Sequence, residues 1–156
     1  MFLLQDPEWA DVKLAQAKYL LSRLAQFKTL VSNRLECTPL VIVAGDFNST
    51  PGDKVYKYLI SSSCSLAQVV ECLEDKPIPL CSAYASMKGE PTFTSCTPGF
   101  TDTLDYIFFS PTDNIRPVSV LELPEPDSPD VVGGLPNSCH PSDHLPIGVG
   151  FEITGE

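Results

Sequence analysis

The sequence predicts an α/β domain, and three observations carry that expectation. A long stretch near the N-terminus repeats its apolar residues at helical spacing. Residues 40–43 form a short continuous apolar run that breaks at a glycine, and residues 147–153 place Ile147, Val149, Phe151 and Ile153 at every second position, the period of a half-buried strand. At 156 residues the chain is long enough for one domain with its own core.

The helix opens at Asp6-Pro7-Glu8. Asp6 can cap, Pro7 suits the first helical position, and Glu8 favours the positive end of the dipole. Leu20, Leu24, Phe27 and Val31 then recur at spacings of four, three and four, with Leu14, Ala17 and Leu21 extending the stripe. Lys13, Lys18, Arg23 and Lys28 lie largely off it. They are read as the solvated face of a helix that packs on a sheet, not as ligand-binding groups. Residues 33–39 end the helix.

Residues 40–43 suit a strand covered on both faces. Gly45 lets the backbone turn, and Asp46 and Asn48 follow. In an extended segment side chains two apart point the same way, so a carboxylate and a carboxamide emerge together from the end of a rigid element. A site for a cation and a phosphate can be built there, although the same residue types also make ordinary turns. Asp53 can cap a short helix with Val55, Tyr56, Leu59 and Ile60 inside, ended by Ser61-Ser62-Ser63. Residues 66–73 suggest a further helical turn or two, residues 75–79 a loop, and residues 81–89 an irregular segment.

Glu90-Pro91-Thr92-Phe93-Thr94 reads as a short edge strand and residues 95–99 as a turn. Residues 103–110 read as a central strand rich in β-formers, in which Asp105 is out of place and needs a partner. Residues 118–121 form another short strand. Residues 123–136, with four prolines and two adjacent glycines, read as an exposed loop.

An apolar fraction of 43% and a mean hydropathy of +0.04 are globular values. No apolar run approaches membrane-spanning length, and the N-terminus lacks the basic region of a signal peptide. Six cysteines occur without a C-x-x-C pair, which argues against zinc and against a disulfide framework. They are read as reduced thiols of an intracellular protein. The formal net charge is −10, and no Lys or Arg follows Arg116. That balance argues against unaided nucleic-acid binding, yet suits a site that meets phosphate through a metal ion.

Asp46 with Asn48, Asp105, and Asp143 with His144 are polar residues in or beside apolar strands. Carboxylates that converge repel unless a hard cation such as Mg²⁺ sits between them, and a histidine beside a carboxylate can donate to a phosphate. Each residue alone is more often structural, and His140 is read as a surface residue. Their order is more specific. Gly45-Asp46-Phe47-Asn48-Ser49, then Thr103-Leu104-Asp105-Tyr106-Ile107-Phe108, then Ser142-Asp143-His144-Leu145-Pro146 resemble the endonuclease/exonuclease/phosphatase superfamily. Glu90-Pro91-Thr92-Phe93-Thr94 and the helix around Asp11-Val12-Lys13 are similar to the carbon catabolite repressor type deadenylases and their nocturnin-like relatives, with helix wording closest to a plant member.

The resemblance spans residues 6–153 and leaves residues 1–5 outside it. It implies the C-terminal half of a four-layer, DNase I-like α/β sandwich and a Mg²⁺-dependent 3′-exoribonuclease acting on poly(A), in a deadenylase complex within the cytoplasm, nucleus or an organelle. It implies that Asp46 orients or deprotonates the attacking water, that Asn48 hydrogen-bonds the scissile phosphate, and that Asp105 pairs with His144. His144 then stabilises the pentavalent transition state, and Asp143 and Asp46 lie at the metal. Phe100 matches a position that stacks an adenine, or else is a core aromatic. Relatives with the same signature also act on 2′,5′-oligoadenylate or the 2′-phosphate of NADP(H). The family's upstream Asn, its metal-binding Glu and its Asn-Thr-His-Leu segment have no counterpart here. The expectation is therefore a shortened chain with an uncovered sheet face and at most trace activity, or an inactive fragment that acts only in binding.

Overall fold

A computed structural model describes residues 9–60, 77–112 and 114–154. The expected helix start at Asp6 and Pro7, the stop at Ser61-Ser62-Ser63 and the helical turns at residues 66–73 lie outside those residues. The described elements are α1 (Ala10–Leu35), β1 (Ile42–Asp46), α2 (Lys54–Leu59), β2 (Cys81–Ser82), α3 (Ala83–Met87), β3 (Ser95–Thr97), β4 (Phe100–Asp102), β5 (Asp105–Phe109), β6 (Ile115–Val120) and β7 (Val149–Ile153).

The central sheet has the order β1-β5-β2 and is antiparallel, with Ile42 opposite Phe109, Ala44 opposite Ile107 and Asp46 opposite Asp105. Alternation divides its side chains between two faces. On one face Val43, Tyr106 and Phe108 meet α1 and α2 through Ala17, Leu21, Val55, Tyr56 and Leu59, with Phe47 at the strand end. Phe47 meets Phe108 edge-on at 5.0 Å between ring centroids, and Tyr106 stacks on Phe108 at 5.2 Å. Tyr106 has its hydroxyl hydrogen satisfied by the Ser49 and Thr103 carbonyls, which ties the loop after β1 to the start of β5.

The other face is covered only in part. On β5 Phe109 packs with Ile115, Phe151 and Val149 of the β6–β7 hairpin. On β1 beside it Ile42, the register partner of Phe109, is 47% exposed, and Ala44 is also open. The expectation of a strand buried on both faces is thus corrected: α1 and α2 cover one side, and no described element covers the middle of the other.

Four further expectations change. On α1 the buried line is Lys13, Ala17 and Leu21, spaced by four, while Phe27 is 62% exposed. The fully buried line therefore ends at Leu21, Leu24 and Ala25 continue it only partly buried against the core, and Lys13 lies on the inner face. Residues 90–94 are not a strand; β3 begins at Ser95, where a turn was expected, and pairs with β4. Residues 81–89 contain β2 and α3, whose N-cap Ser82 accepts from the Ala85 N–H. The proline-rich loop is not wholly exposed, because Val131 and Leu135 bury with Phe93 and Leu145 in a small separate cluster. The Asp53 cap of α2 is present, its carboxylate accepting from the Tyr56 N–H at 2.8 Å. None of the four described cysteines forms a disulfide. Among the described residues no helix is long and apolar enough to cross a membrane.

Candidate active site

β1 and β5 end together, so their last and first residues set the floor of the site. Asp46 and Asp105 are register partners on the open face. Like charges directly opposite on paired strands repel. Burial is the main reason the Asp46 carboxyl sits above its ordinary range, the Asn48 amide opposes the rise, and the Asp105 charge adds to it.

Asn48 does not continue the strand. Its φ of +47° is left-handed, a region that Asn tolerates better than most residues. The chain turns back, and the Asn48 backbone N–H and side-chain amide donate to the two oxygens of Asp46 at 2.7 and 3.0 Å. The two side chains do meet, but through a turn rather than by strand alternation.

Asp105 resolves its misplaced charge with two partners. Its Oδ2 accepts from the Thr94 hydroxyl at 2.7 Å and contacts His144 Nδ1 at 2.7 Å. The segment carrying His144 is fixed by backbone bonds to the strand beside it: Cys96 N–H donates to the Asp143 carbonyl, and Leu145 N–H to the Thr94 carbonyl. His144 and Asp105 have side chains 28% and 14% exposed. Burial opposes charge on His144, but the hydrogen bond and charge of Asp105, with the charges of Asp46 and Asp143, outweigh it and raise its pKa. The Nδ1 contact orients the ring, and Nε2 has no hydrogen-bond partner among the described residues.

A cleft of about 550 Å³ opens beside this floor. Its lining includes Lys13, Asn48, Phe100, Asp143 and His144. Phe100, on β4, is 43% exposed, so it is a wall of the cleft and not a core aromatic. Asp143 is exposed at the rim. His140 lies outside the cleft lining.

Two residues of this arrangement escape the sequence reading. Thr94 is fully buried, and its hydroxyl joins Asp105 to the Leu104 and Asp105 N–H groups. The only signal for it was its place in Glu90-Pro91-Thr92-Phe93-Thr94. Lys13 donates to the Asn48 carbonyl at 2.8 Å. Its position four before Ala17 and eight before Leu21 was the available signal.

The oxygen donors of Asp46, Asn48 and Asp143 suit a hard divalent cation in type. They do not suffice in number: among the described residues no group of three or more His, Cys, Asp or Glu side chains is placed to hold a metal ion.

A mixed α/β core thus carries a carboxylate–histidine pair and an Asp-x-Asn turn at adjacent strand ends. The chain belongs to the endonuclease/exonuclease/phosphatase family, which matches residues 9–144. It is 68% identical over 151 residues to carbon catabolite repressor protein 4 homolog 4 of Arabidopsis thaliana, covering 97% of this chain and 36% of that protein. It is 33% identical over 152 residues to a probable CCR4-Not complex 3′-5′-exoribonuclease subunit of Vairimorpha ceranae, covering 95% of this chain and 30% of that one. The human nocturnin catalytic domain, solved with a bound sulfate anion, superposes with a TM-score of 0.61 at 27% identity, over 97% of this chain and 45% of that domain. The chain thus spans about a third of the length of the curated relatives it matches.

Proposed function

We propose that the cleft binds the 3′ end of an adenine-rich RNA and contributes to hydrolysis of its last phosphodiester, releasing 5′-AMP. The observation that carries this reading is the Asp105–His144 pair at 2.7 Å beside the Asp46–Asn48 turn, with an aromatic wall in the same cleft. The similarity to the plant and Vairimorpha proteins supports it.

Asn48, which lines the cleft, holds a phosphoryl oxygen through its side-chain amide. Asp46, with its carboxyl raised towards a useful base, orients and deprotonates the attacking water. His144, turned by Asp105 and holding its proton more tightly than an ordinary imidazole, donates from Nε2 to the oxygens on which charge builds as the new P–O bond forms and the bond to the 3′-oxygen breaks. Phe100 stacks the terminal base, for which an exposed aromatic face is suited. A hard divalent cation such as Mg²⁺ would be held by Asp46 and Asp143 together with further ligands, and would supply neutralisation of phosphate charge. The corresponding partner is a deadenylase complex of the kind named for the Vairimorpha relative, in the cytoplasm or nucleus where poly(A) RNA occurs.

A second reading is favoured by the incomplete metal ligand set among the described residues: the chain on its own binds adenylate without turning it over. Binding and turnover are separable. The chain is titrated with 5′-AMP, 3′,5′-linked oligo(A), NADPH and 2′,5′-linked oligoadenylate while the ring signals of His144 and Phe100 are followed by NMR. The proposal expects AMP and oligo(A) to move both rings, with Asn48→Ala and His144→Ala weakening binding. Preferential binding of NADPH or of 2′,5′-linked oligoadenylate reassigns the substrate. Silence at both rings for all ligands rejects the site.

A further inference from the structure

The mechanism leaves Lys13 unused, although it is only 7% exposed. It shares the buried line of α1 with Ala17 and Leu21, which pack in the apolar core. One turn nearer the helix start, Lys13 meets the loop after β1, and its ammonium donates to the Asn48 carbonyl at 2.8 Å. Among the described residues it belongs to no ion pair. Burying an ammonium costs more than burying an apolar chain of similar length, so packing alone does not account for a lysine here.

The bond lands on a strained point of the site. Of the residues lining the cleft, Asn48 is the one non-glycine with a positive φ, +47°. A residue with a side chain gives up energy to stay in that region. The turn lets the Asn48 N–H and side-chain amide both reach Asp46, at 2.7 and 3.0 Å. The next residue is clamped separately. The Tyr106 hydroxyl donates to the Ser49 carbonyl at 2.7 Å, and the Ser49 hydroxyl donates to the Asp53 carboxylate. β5 and the cap of α2 thus fix Ser49, while α1 reaches Asn48 through Lys13. Without the ammonium, the Asn48 backbone is freer to relax towards the right-handed region, which carries its amide away from Asp46.

We infer that Lys13 is a positioning residue: it holds the left-handed turn by the Asn48 carbonyl and so aims the Asn48 amide at the phosphate position. The inference rests on the reading that the cleft takes a phosphate group. It adds that α1 sets the affinity of that position through the backbone of Asn48, and not by contact of the ammonium with the ligand.

The test is a double-mutant cycle on the full chain with Lys13→Met, Asn48→Gly and both together, titrated with 5′-AMP and followed at the His144 ring. Glycine accepts the left-handed turn, so Asn48→Gly removes the amide and keeps the backbone. Lys13→Met should weaken AMP binding about tenfold, the worth of a hydrogen bond from a charged group, and Lys13→Arg should restore most of it. In the Asn48→Gly background Lys13→Met should change affinity less than about twofold, because the amide it positions is gone. Equal losses in both backgrounds, or wild-type affinity in Lys13→Met, would overturn the inference. Without ligand, the strong intraresidue HN–Hα cross-peak of a left-handed residue should mark Asn48 in the wild type and weaken in Lys13→Met; its persistence there would also overturn the inference. A wild-type chain that does not bind AMP would reject the proposed function, and the Asn48 cross-peak would still decide for Lys13. If Lys13→Met does not fold, the wild-type ammonium decides: an Nζ signal protected from exchange and coupled to the Asn48 carbonyl carbon is expected, and a rapidly exchanging one would overturn the role.

Discussion

Replacing Thr94 by Val should destabilise the fold far more than its volume change suggests. The two side chains are nearly the same shape, so the packing around this fully buried residue is retained. What is lost is one hydroxyl. That oxygen accepts from the Leu104 N–H at 2.9 Å and the Asp105 N–H at 3.0 Å, and donates to Asp105 Oδ2 at 2.7 Å. Valine leaves two backbone donors without this acceptor and a buried carboxylate one donor short. Each orphaned buried group costs ~1–3 kcal/mol. Some relaxation is expected, so the loss should be about 3 kcal/mol, near the upper end for single substitutions. Thr94→Ser keeps the hydroxyl and removes one methyl, which should cost ~1 kcal/mol. Urea denaturation of the three proteins at neutral pH measures the differences. A Val variant within ~0.5 kcal/mol of wild type, or a Ser variant as unstable as the Val variant, would refute the hub assigned to this hydroxyl.

Three other predictions concern charge and turnover. His144 has its pKa raised in the folded state, so the stability it contributes is fully present below its ordinary value of 6.5 and is lost as pH rises through the raised value; this loss should appear in wild-type denaturation and be diminished in Asp105→Asn, and identical profiles would contradict it. Glu90 has its carboxyl raised by burial, against hydrogen bonds from Ser82 and Tyr56, so its destabilising effect should grow as pH rises from 4.5 through the raised value. Glu90→Gln, which can still accept from the Tyr56 hydroxyl, should therefore be more stable than wild type at neutral pH and no different in acid; the opposite order in denaturant would refute this. With Mg²⁺ and oligo(A) the isolated chain should show at most trace turnover, because the described residues hold no group of three metal-ligating side chains; efficient turnover abolished by Asp46→Ala would contradict that.

Much of this site was legible because its residues break local rules. Asp105 interrupts an apolar strand, and the structure supplies the partner that such a carboxylate needs. Asp46 and Asn48 end an apolar run, and Asp53 announces a cap three residues before the N–H it holds. The short elements were not legible. β2, β3 and β4 have two or three residues each, too few to show a period, and β3 depends on its pairing with β4 and the bonds from the Asp143–Leu145 segment. Lys13 was misread because charge was weighed above position. Counting by four back from Leu21 and Ala17 places it inside, but its partner is a backbone carbonyl 35 residues away that no local pattern reveals. Thr94 was missed for the same reason, since a threonine in an apolar segment gives no sign that its hydroxyl links two strands. The exposed Ile42 and Phe27 show the converse error, in which apolar character was taken as burial.

The most direct test of the site is an NMR titration of the chain with 5′-AMP, following the imidazole of His144 and the ring of Phe100 together. Saturable shifts at both rings, weakened in Asn48→Ala and accompanied by a further rise in the His144 pKa, are the predicted result. Shifts confined to residues outside the cleft, or a His144 ring that stays unchanged at saturating AMP, would contradict a phosphate-binding site built on Asp46, Asn48, Asp105 and His144.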